Sequence, residues 1–289
     1  MKILLTGATG QIGFELERSL QGLGEVIAPG RAQMDLSNLD QVRAVIRAVR
    51  PQLIVNPAAY TAVDQAEAEP ALAWRINADA PVLMADEARL LGAAMVHYST
   101  DYVFDGTKSG PYHEHDLPNP LNAYGRSKLA GEEGVRAAGI DHLILRTSWV
   151  YGLRGKNFLL TMLKLGRERE QLRIVSDQHG APTWSRTVAD STALVLAQAR
   201  AQGPAWWKRH SGIYHLSCQG ATTWCGFTEA IAAAAGLPCS VIPITSADYP
   251  VAALRPRNSM LDTGKLRTLC ALPEWQQALA LCLGETLLR

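Results

Sequence analysis

Three observations predict an α/β protein: a doubly wound parallel sheet with a smaller C-terminal α/β lobe. A short apolar run, Lys2 to Leu5, leads straight into a glycine-rich turn and then a helical pattern. Apolar runs and helical patterns then alternate as far as residue 152, as parallel strands joined by crossover helices require. Beyond residue 152 the alternation loosens, and helices and loops follow in less regular order.

The turn reads Gly7-Ala8-Thr9-Gly10-Gln11-Ile12-Gly13, and Phe14, Leu16 and Leu20 continue it as a helix. The glycines serve different ends. Gly7 permits the tight turn, Gly10 lets the backbone approach a pyrophosphate, and Gly13 lets the helix pack on the strand. The helix N-terminus then presents free N–H groups to phosphates. This is the start of a Rossmann-type sheet. Residues 1–152 are expected to form the dinucleotide-binding domain, with some later segments returning to it, and residues 153–289 mainly a substrate-binding lobe.

The second strand, Glu25 to Ala28, ends in Pro29-Gly30-Arg31 where such folds often place a carboxylate for the ribose 2′-hydroxyl. Arg31 either pairs with a 2′-phosphate, which favours NADPH, or is a solvated surface arginine. Asp35-Leu36-Ser37 reads as a cap for a helix from Leu39 to Val49 and as a contact to the adenine. The third strand, Pro51 to Asn56, runs into Pro57-Ala58-Ala59-Tyr60-Thr61, whose small side chains suit close passage of a cofactor. Pro70 opens a long helical region through Asn77, which reads as a packed helix residue.

The fourth strand, Ala93 to Tyr98, ends in Ser99-Thr100-Asp101. Asp101 accepts from a sugar hydroxyl or holds its loop. A long loop rich in Gly, Pro and His then reaches Tyr124-Gly125-Arg126-Ser127-Lys128. At four-residue spacing, Tyr124 and Lys128 share one helix face. A phenol beside an ammonium is a proton-transfer pair, and the cation is expected to draw the phenol's pKa down toward the working pH. The fifth strand, His142 to Arg146, leads to Trp149, which either shields a ligand or packs in the core. Trp206 to His210 reads as a surface connection whose tryptophans either pack under it or form a partner contact, and Arg255-Pro256-Arg257 suits an anionic ligand such as a diphosphate.

Composition excludes several classes. Lys and Arg number 28 against 27 Asp and Glu, so no basic excess points to nucleic acid. No apolar run is long enough to span a membrane, and the N-terminus does not read as a signal peptide. Cys218, Cys225, Cys239, Cys270 and Cys282 are odd in number and form no C-x-x-C pair, which fits a reducing cytoplasm. His97, His113 and His115 lack a metal-ligand pattern, and no metal is expected.

Together the glycine turn, Ser99-Thr100 and Tyr124-x-x-x-Lys128 resemble the extended short-chain dehydrogenase/reductases. Asn56 to Asp64, His97 to Phe104, Arg146 to Tyr151, Asp177 to Thr183 and Arg255-Pro256-x-Asn258-Ser259 narrow the resemblance to reductases of dTDP-4-ketosugars, across almost the whole chain. The resemblance implies catalysis by Tyr124, Lys128 and Thr100. It implies NADPH, with NADH as an acceptable substitute, along Gly10, Gln11 and Ile12, with Asp35 and Leu36 at the adenine. Ala59, Tyr60 and Thr61 would line the cofactor path, and Tyr98 would support the nicotinamide side. The dTDP-sugar would meet Thr100, Asp101, Tyr124 and Arg255, with Trp149 closing over it. Some relatives dimerise around Mg²⁺ held by glutamates, so a homodimer is an expected assembly. Glu15 fills one such position, but Trp184-Ser185-Arg186 offers no second carboxylate, and that metal is not expected here. Thr100 is followed by Asp101-Tyr102, without the Asp-Glu pair of a 4,6-dehydratase. Another nucleotide-4-ketosugar reductase or an epimerase of the same fold, and a non-catalytic NADP-binding regulatory subunit, are the other readings.

Overall fold

The computed structural model describes residues 1–287. Its first part runs β1 (Lys2–Leu5), α1 (Gln11–Ser19), β2 (Glu25–Ile27), α2 (Leu39–Val49), β3 (Leu53–Asn56), α3 (Val63–Ala68), α4 (Pro70–Trp74), α5 (Ala80–Leu91), β4 (Ala94–Thr100), α6 (Ala123–Ala137) and β5 (His142–Thr147). There follow β6 (Val150–Tyr151), α7 (Phe158–Glu168), β7 (Gln171–Val175), β8 (His179–Gly180), β9 (Thr183–Trp184), α8 (Ser185–Gln202), α9 (Pro204–His210) and β10 (Gly212–His215). The chain ends with β11 (Thr222–Thr223), α10 (Trp224–Ala235), β12 (Ser240–Ile244), α11 (Gly264–Arg267) and α12 (Trp275–Leu287).

Six strands form one parallel sheet in the order β10-β5-β4-β3-β1-β2. The chain passes to opposite sides of β1 on leaving and returning, so the order reverses between β1 and β3. That reversal opens a crevice at the carboxyl ends of the strands, the usual ligand position in such sheets.

Alternation along the strands loads both faces with apolar side chains. Leu4, Ile54, Met95 and Ile144 face Val42 and Ile46 of α2, Met84 of α5 and Val135 of α6. Ile3, Leu5, Val96 and Leu145 face Leu16 and Leu20 of α1, Val188 and Leu196 of α8, and Trp206 of α9. A separate core joins α7, α10 and α12 through Leu159, Met162, Phe227, Ile231, Trp275 and Leu279.

Two local readings change. Asn38, not the Asp35–Ser37 stretch, caps α2 by accepting from the Gln41 N–H, whereas Asp35 closes a turn onto Ser37. The helical region after Pro70 is broken by a π-helical turn, Arg75–Asp79, just ahead of Pro81, which has no N–H to continue an α-helical ladder. Of the two alternatives for the tryptophans, Trp206 takes the packed one: it lies fully buried in α9 against the sheet.

Candidate active site

The crevice is a cleft of about 880 Å³ running from the glycine turn to the N-terminus of α6. Its near end is built by backbone. Gly7 has φ +59°, and a Cβ at Gly13 would stand 2.1 Å from the Gly7 carbonyl oxygen. Only glycine at both positions lets α1 start this close to β1. Gly10 caps α1 without any side-chain hydrogen bond, so the first N–H groups of the helix face the cleft. Gly30, Arg31, Asp35 and Leu36 form the far rim beside β2. Arg31 is mostly exposed, with its Nε 3.5 Å from Asp35 Oδ2. Hydrogen bonds from Ser37 hold the Asp35 carboxyl below the usual carboxylate range.

Ala58, Ala59, Tyr60 and Thr61 line the next stretch of wall. Asn77 holds this loop from the π-helical turn: its side chain accepts from the Tyr60 N–H at 2.8 Å and donates to the Tyr60 carbonyl at 3.0 Å. Its amide also donates to Ser127 Oγ at 3.0 Å, which ties the loop to α6. Tyr60 donates to Glu69 at 2.6 Å, and that bond leads the causes pushing its phenol up to about 12.

The reactive groups meet at the ends of β4 and α6. Asn122 caps α6, accepting from the Gly125 N–H at 2.8 Å, and so sets Tyr124 in the first turn. The Thr100 side chain is near the Tyr124 hydroxyl and opposes the rise of its phenol pKa. Thr100 Oγ1 also donates to Asp101 Oδ1 at 3.0 Å and accepts from the Tyr102 N–H at 3.1 Å. Asp101 is buried, takes a further bond from Ser148 at 3.1 Å, and burial pushes its carboxyl up to about 6. Lys128 is 2% exposed, and its Nζ donates to the Tyr98 carbonyl at 2.6 Å. Burial brings its pKa down to about 8, against the opposing pull of Glu132.

The Tyr124 phenol is pushed up to about 12, chiefly by burial. The expected downward pull of the ammonium does not figure in the resting site: Thr100 opposes the rise and Asp101 adds to it. Tyr98 contributes its backbone, since its hydroxyl points into the opposite core and bonds Thr192 at 2.7 Å. Trp149 lines the cleft with φ +45° and stacks on Trp224, ring centroids 3.6 Å apart. Arg255 alone among the sequence-predicted residues lies outside the cleft wall. The Asp64 carboxylate holds its guanidinium at 3.0 and 2.6 Å, and its contact to the site passes through Tyr102.

Trp224, Lys156 and Asn157 also line the cleft, and sequence reasoning passes over all three. Asn157 donates to Gln11 Oε1 at 2.9 Å and so fastens the loop after β6 to the glycine turn. Its position as N-cap of α7 is the one local signal. Arg186 sits with its Nε 3.3 Å from Glu15 Oε2, so that carboxylate is paired with a cation from α8.

The family model described as RmlD substrate binding domain matches residues 1–288. A dTDP-4-dehydrorhamnose reductase of Burkholderia thailandensis is 48% identical, covering 99% of each chain. A crystal structure of a dTDP-4-dehydrorhamnose reductase from Clostridium acetobutylicum superposes with TM-score 0.92 at 36% identity, covering 99% of both chains. That of the Bacillus anthracis reductase, in complex with NADP, superposes with TM-score 0.89 at 35% identity, covering 98% of this chain and 99% of that one. Similarity of this degree over the full length, on the same fold, means that the chain belongs to the dTDP-4-dehydrorhamnose reductase family of oxidoreductases.

Proposed function

We propose that this chain reduces the C4 ketone of dTDP-4-dehydro-L-rhamnose to give dTDP-L-rhamnose, the last step of dTDP-L-rhamnose synthesis, with Tyr124 as proton donor. One observation carries the reading: Thr100, Tyr124 and Lys128 line the same cleft as the α1 N-terminus, whose cap Gly10 has no side-chain hydrogen bond to cover it. NADPH, when bound, supplies the hydride for the ketone carbon. The cleft suits that dinucleotide, because the glycine cradle excludes any Cβ and Arg31 stands at the rim in place of a carboxylate. Gly7, Gly10, Gln11, Ile12 and Gly13 would hold the diphosphate. Gly30 and Arg31 would take the 2′-phosphate, Asp35 and Leu36 the adenine, and Ala58 to Thr61 the middle of the cofactor. The Bacillus anthracis relative, crystallised with NADP, supports the same choice.

As negative charge develops on the ketone oxygen, Tyr124 donates its proton there. Thr100 turns its hydroxyl proton from Asp101 to the same oxygen and steadies the charge. Lys128 then stabilises the phenolate and holds the ribose hydroxyls. Asp101 keeps Thr100 in place, Trp149 borders the sugar, and Arg255 acts through Tyr102. We assign residues 1–152, together with α8, α9 and β10, to the dinucleotide-binding domain and the other segments after 152 to the substrate lobe. We place the reaction in the cytoplasm, which suits five free cysteines and an NADPH supply. No helix among the described residues is long and apolar enough to cross a membrane.

The test is to incubate the purified chain with NADPH and dTDP-4-dehydro-L-rhamnose and identify the product by NMR. The expected product is dTDP-L-rhamnose. An unreduced ketone, or the C4 epimer, would refute the assignment.

A further inference from the structure

A row of buried polar side chains runs behind Lys128, away from the cleft. Lys128 Nζ lies 3.4 Å from His97 Nε2. His97 Nδ1 lies 3.1 Å from Asn56 Nδ2, and Asn56 Oδ1 accepts from Thr6 Oγ1 at 2.6 Å. Asn56 and His97 are fully buried and directly opposite each other on β3 and β4. Gly131 of α6 sits over the ring, where a Cβ would stand 3.5 Å from Nε2. Both ring nitrogens of His97 are therefore engaged, one of them with the lysine of the reactive pair.

The proton pattern follows from the ammonium. A lysine ammonium has donors only, so Nε2 must offer it a lone pair. A neutral imidazole then carries its proton on Nδ1. The two ends of an amide have the same shape, and hydrogen bonding decides which faces a neighbour. An Nδ1 proton therefore requires the Asn56 amide turned end for end from that placement, its oxygen toward the ring and its nitrogen donating to Thr6 Oγ1. We propose that His97 is a positioning residue for Lys128: a neutral imidazole, steered by Asn56, whose Nε2 lone pair holds the ammonium at the back of the site. With the Tyr98 carbonyl as second acceptor, the third N–H of Lys128 is left for the cleft.

The inference rests on the catalytic reading of Lys128 given above. The charges reaching this pair are few. Burial, and then the Lys128 charge, hold the imidazole pKa well below the usual histidine value. Glu132 on α6 acts on Lys128 and is itself held by Arg146 from β5 at 2.9 and 2.6 Å. Tyr124 and Asp101 complete the cleft side of the site. Losing the imidazole acceptor would make the buried ammonium give up its proton more readily.

The full-length protein labelled with ¹⁵N-histidine would be studied by NMR at about pH 7, with the His97 signals identified by their loss in His97→Gln. The expected result is a neutral ring protonated at Nδ1; an Nε2–H tautomer or an imidazolium would overturn the proposal. This readout needs no turnover, so failure of the reductase reading leaves it intact. In the kinetic arm, His97→Leu is expected to move the high-pH limb of kcat/KM down by about one pH unit, a roughly tenfold easier loss of the Lys128 proton. His97→Gln, whose amide oxygen can accept, is expected to keep the limb near its wild-type position. Equal losses in both variants with the limb unmoved would mean a packing role only and would also overturn the proposal. Should His97→Leu fail to fold, the tautomer still decides.

Discussion

Lys128 carries its charge where burial opposes it, and that sets a pH dependence. Its folded pKa is brought down to about 8, so the ammonium is lost as pH rises through that value. Tyr124, pushed up to about 12, keeps its proton throughout the neutral range and contributes no limb there. The kcat/KM for ketone reduction is therefore expected to fall above about pH 8, measured as a pH profile at saturating NADPH. A flat profile through pH 8 would mean that the Lys128 charge is not needed. Arg31 is the other residue with a sharp expectation. A charge-assisted phosphate contact at an exposed rim is worth about 1–2 kcal/mol. Arg31→Ala should raise the KM for NADPH roughly tenfold and leave that for NADH nearly unchanged, checked by parallel titrations of the two cofactors.

Between elements, the site depends on clasps that cross the fold. Asn157 caps α7 while its amide donates to Gln11 in the glycine turn and to the Gly152 carbonyl. Arg154 from the same loop lies 3.8 Å over the Phe14 ring. Asn157→Ala removes the cap and the clasp together. It is expected to cost about 1–2 kcal/mol in thermal unfolding and to weaken NADPH binding, measured by titration. Unchanged NADPH affinity would show that the clasp is structural alone. Such clasps are where sequence reading stops. The Gly7–Gly13 turn and the Tyr124–Lys128 pair are legible because their parts are local, spaced by the helix period or by one tight turn. Gln11 with Asn157, Trp149 with Trp224 and Asp64 with Arg255 meet only through the path of the chain, and no local spacing announces them.

In the molecule as a whole, the parallel sheet is legible from alternating apolar runs, and the placement of its ends follows from strand order. The edge strand β10 pairs with β5 because α8 and α9 bring it back to the sheet, which composition cannot show. Trp206 illustrates the same limit: an indole beside a basic string can face either a partner or the core, and only the placement of α9 shows that it fills the core. Beneath α6 the sheet is held by a buried ion pair, Glu132 with Arg146. Glu132→Ala would leave a buried guanidinium unpaired and is expected to cost about 3–5 kcal/mol in global stability, read from denaturant unfolding. A loss below about 1 kcal/mol would mean that water replaces the carboxylate.

All of these elements converge on one proton transfer. The most direct measurement compares wild type and Tyr124→Phe, following NADPH consumption on dTDP-4-dehydro-L-rhamnose alongside NADPH binding. Loss of the general acid should lower turnover by about 10²- to 10⁴-fold while NADPH affinity stays within a few-fold. Near-normal turnover by Tyr124→Phe would contradict the assignment of Tyr124 as proton donor.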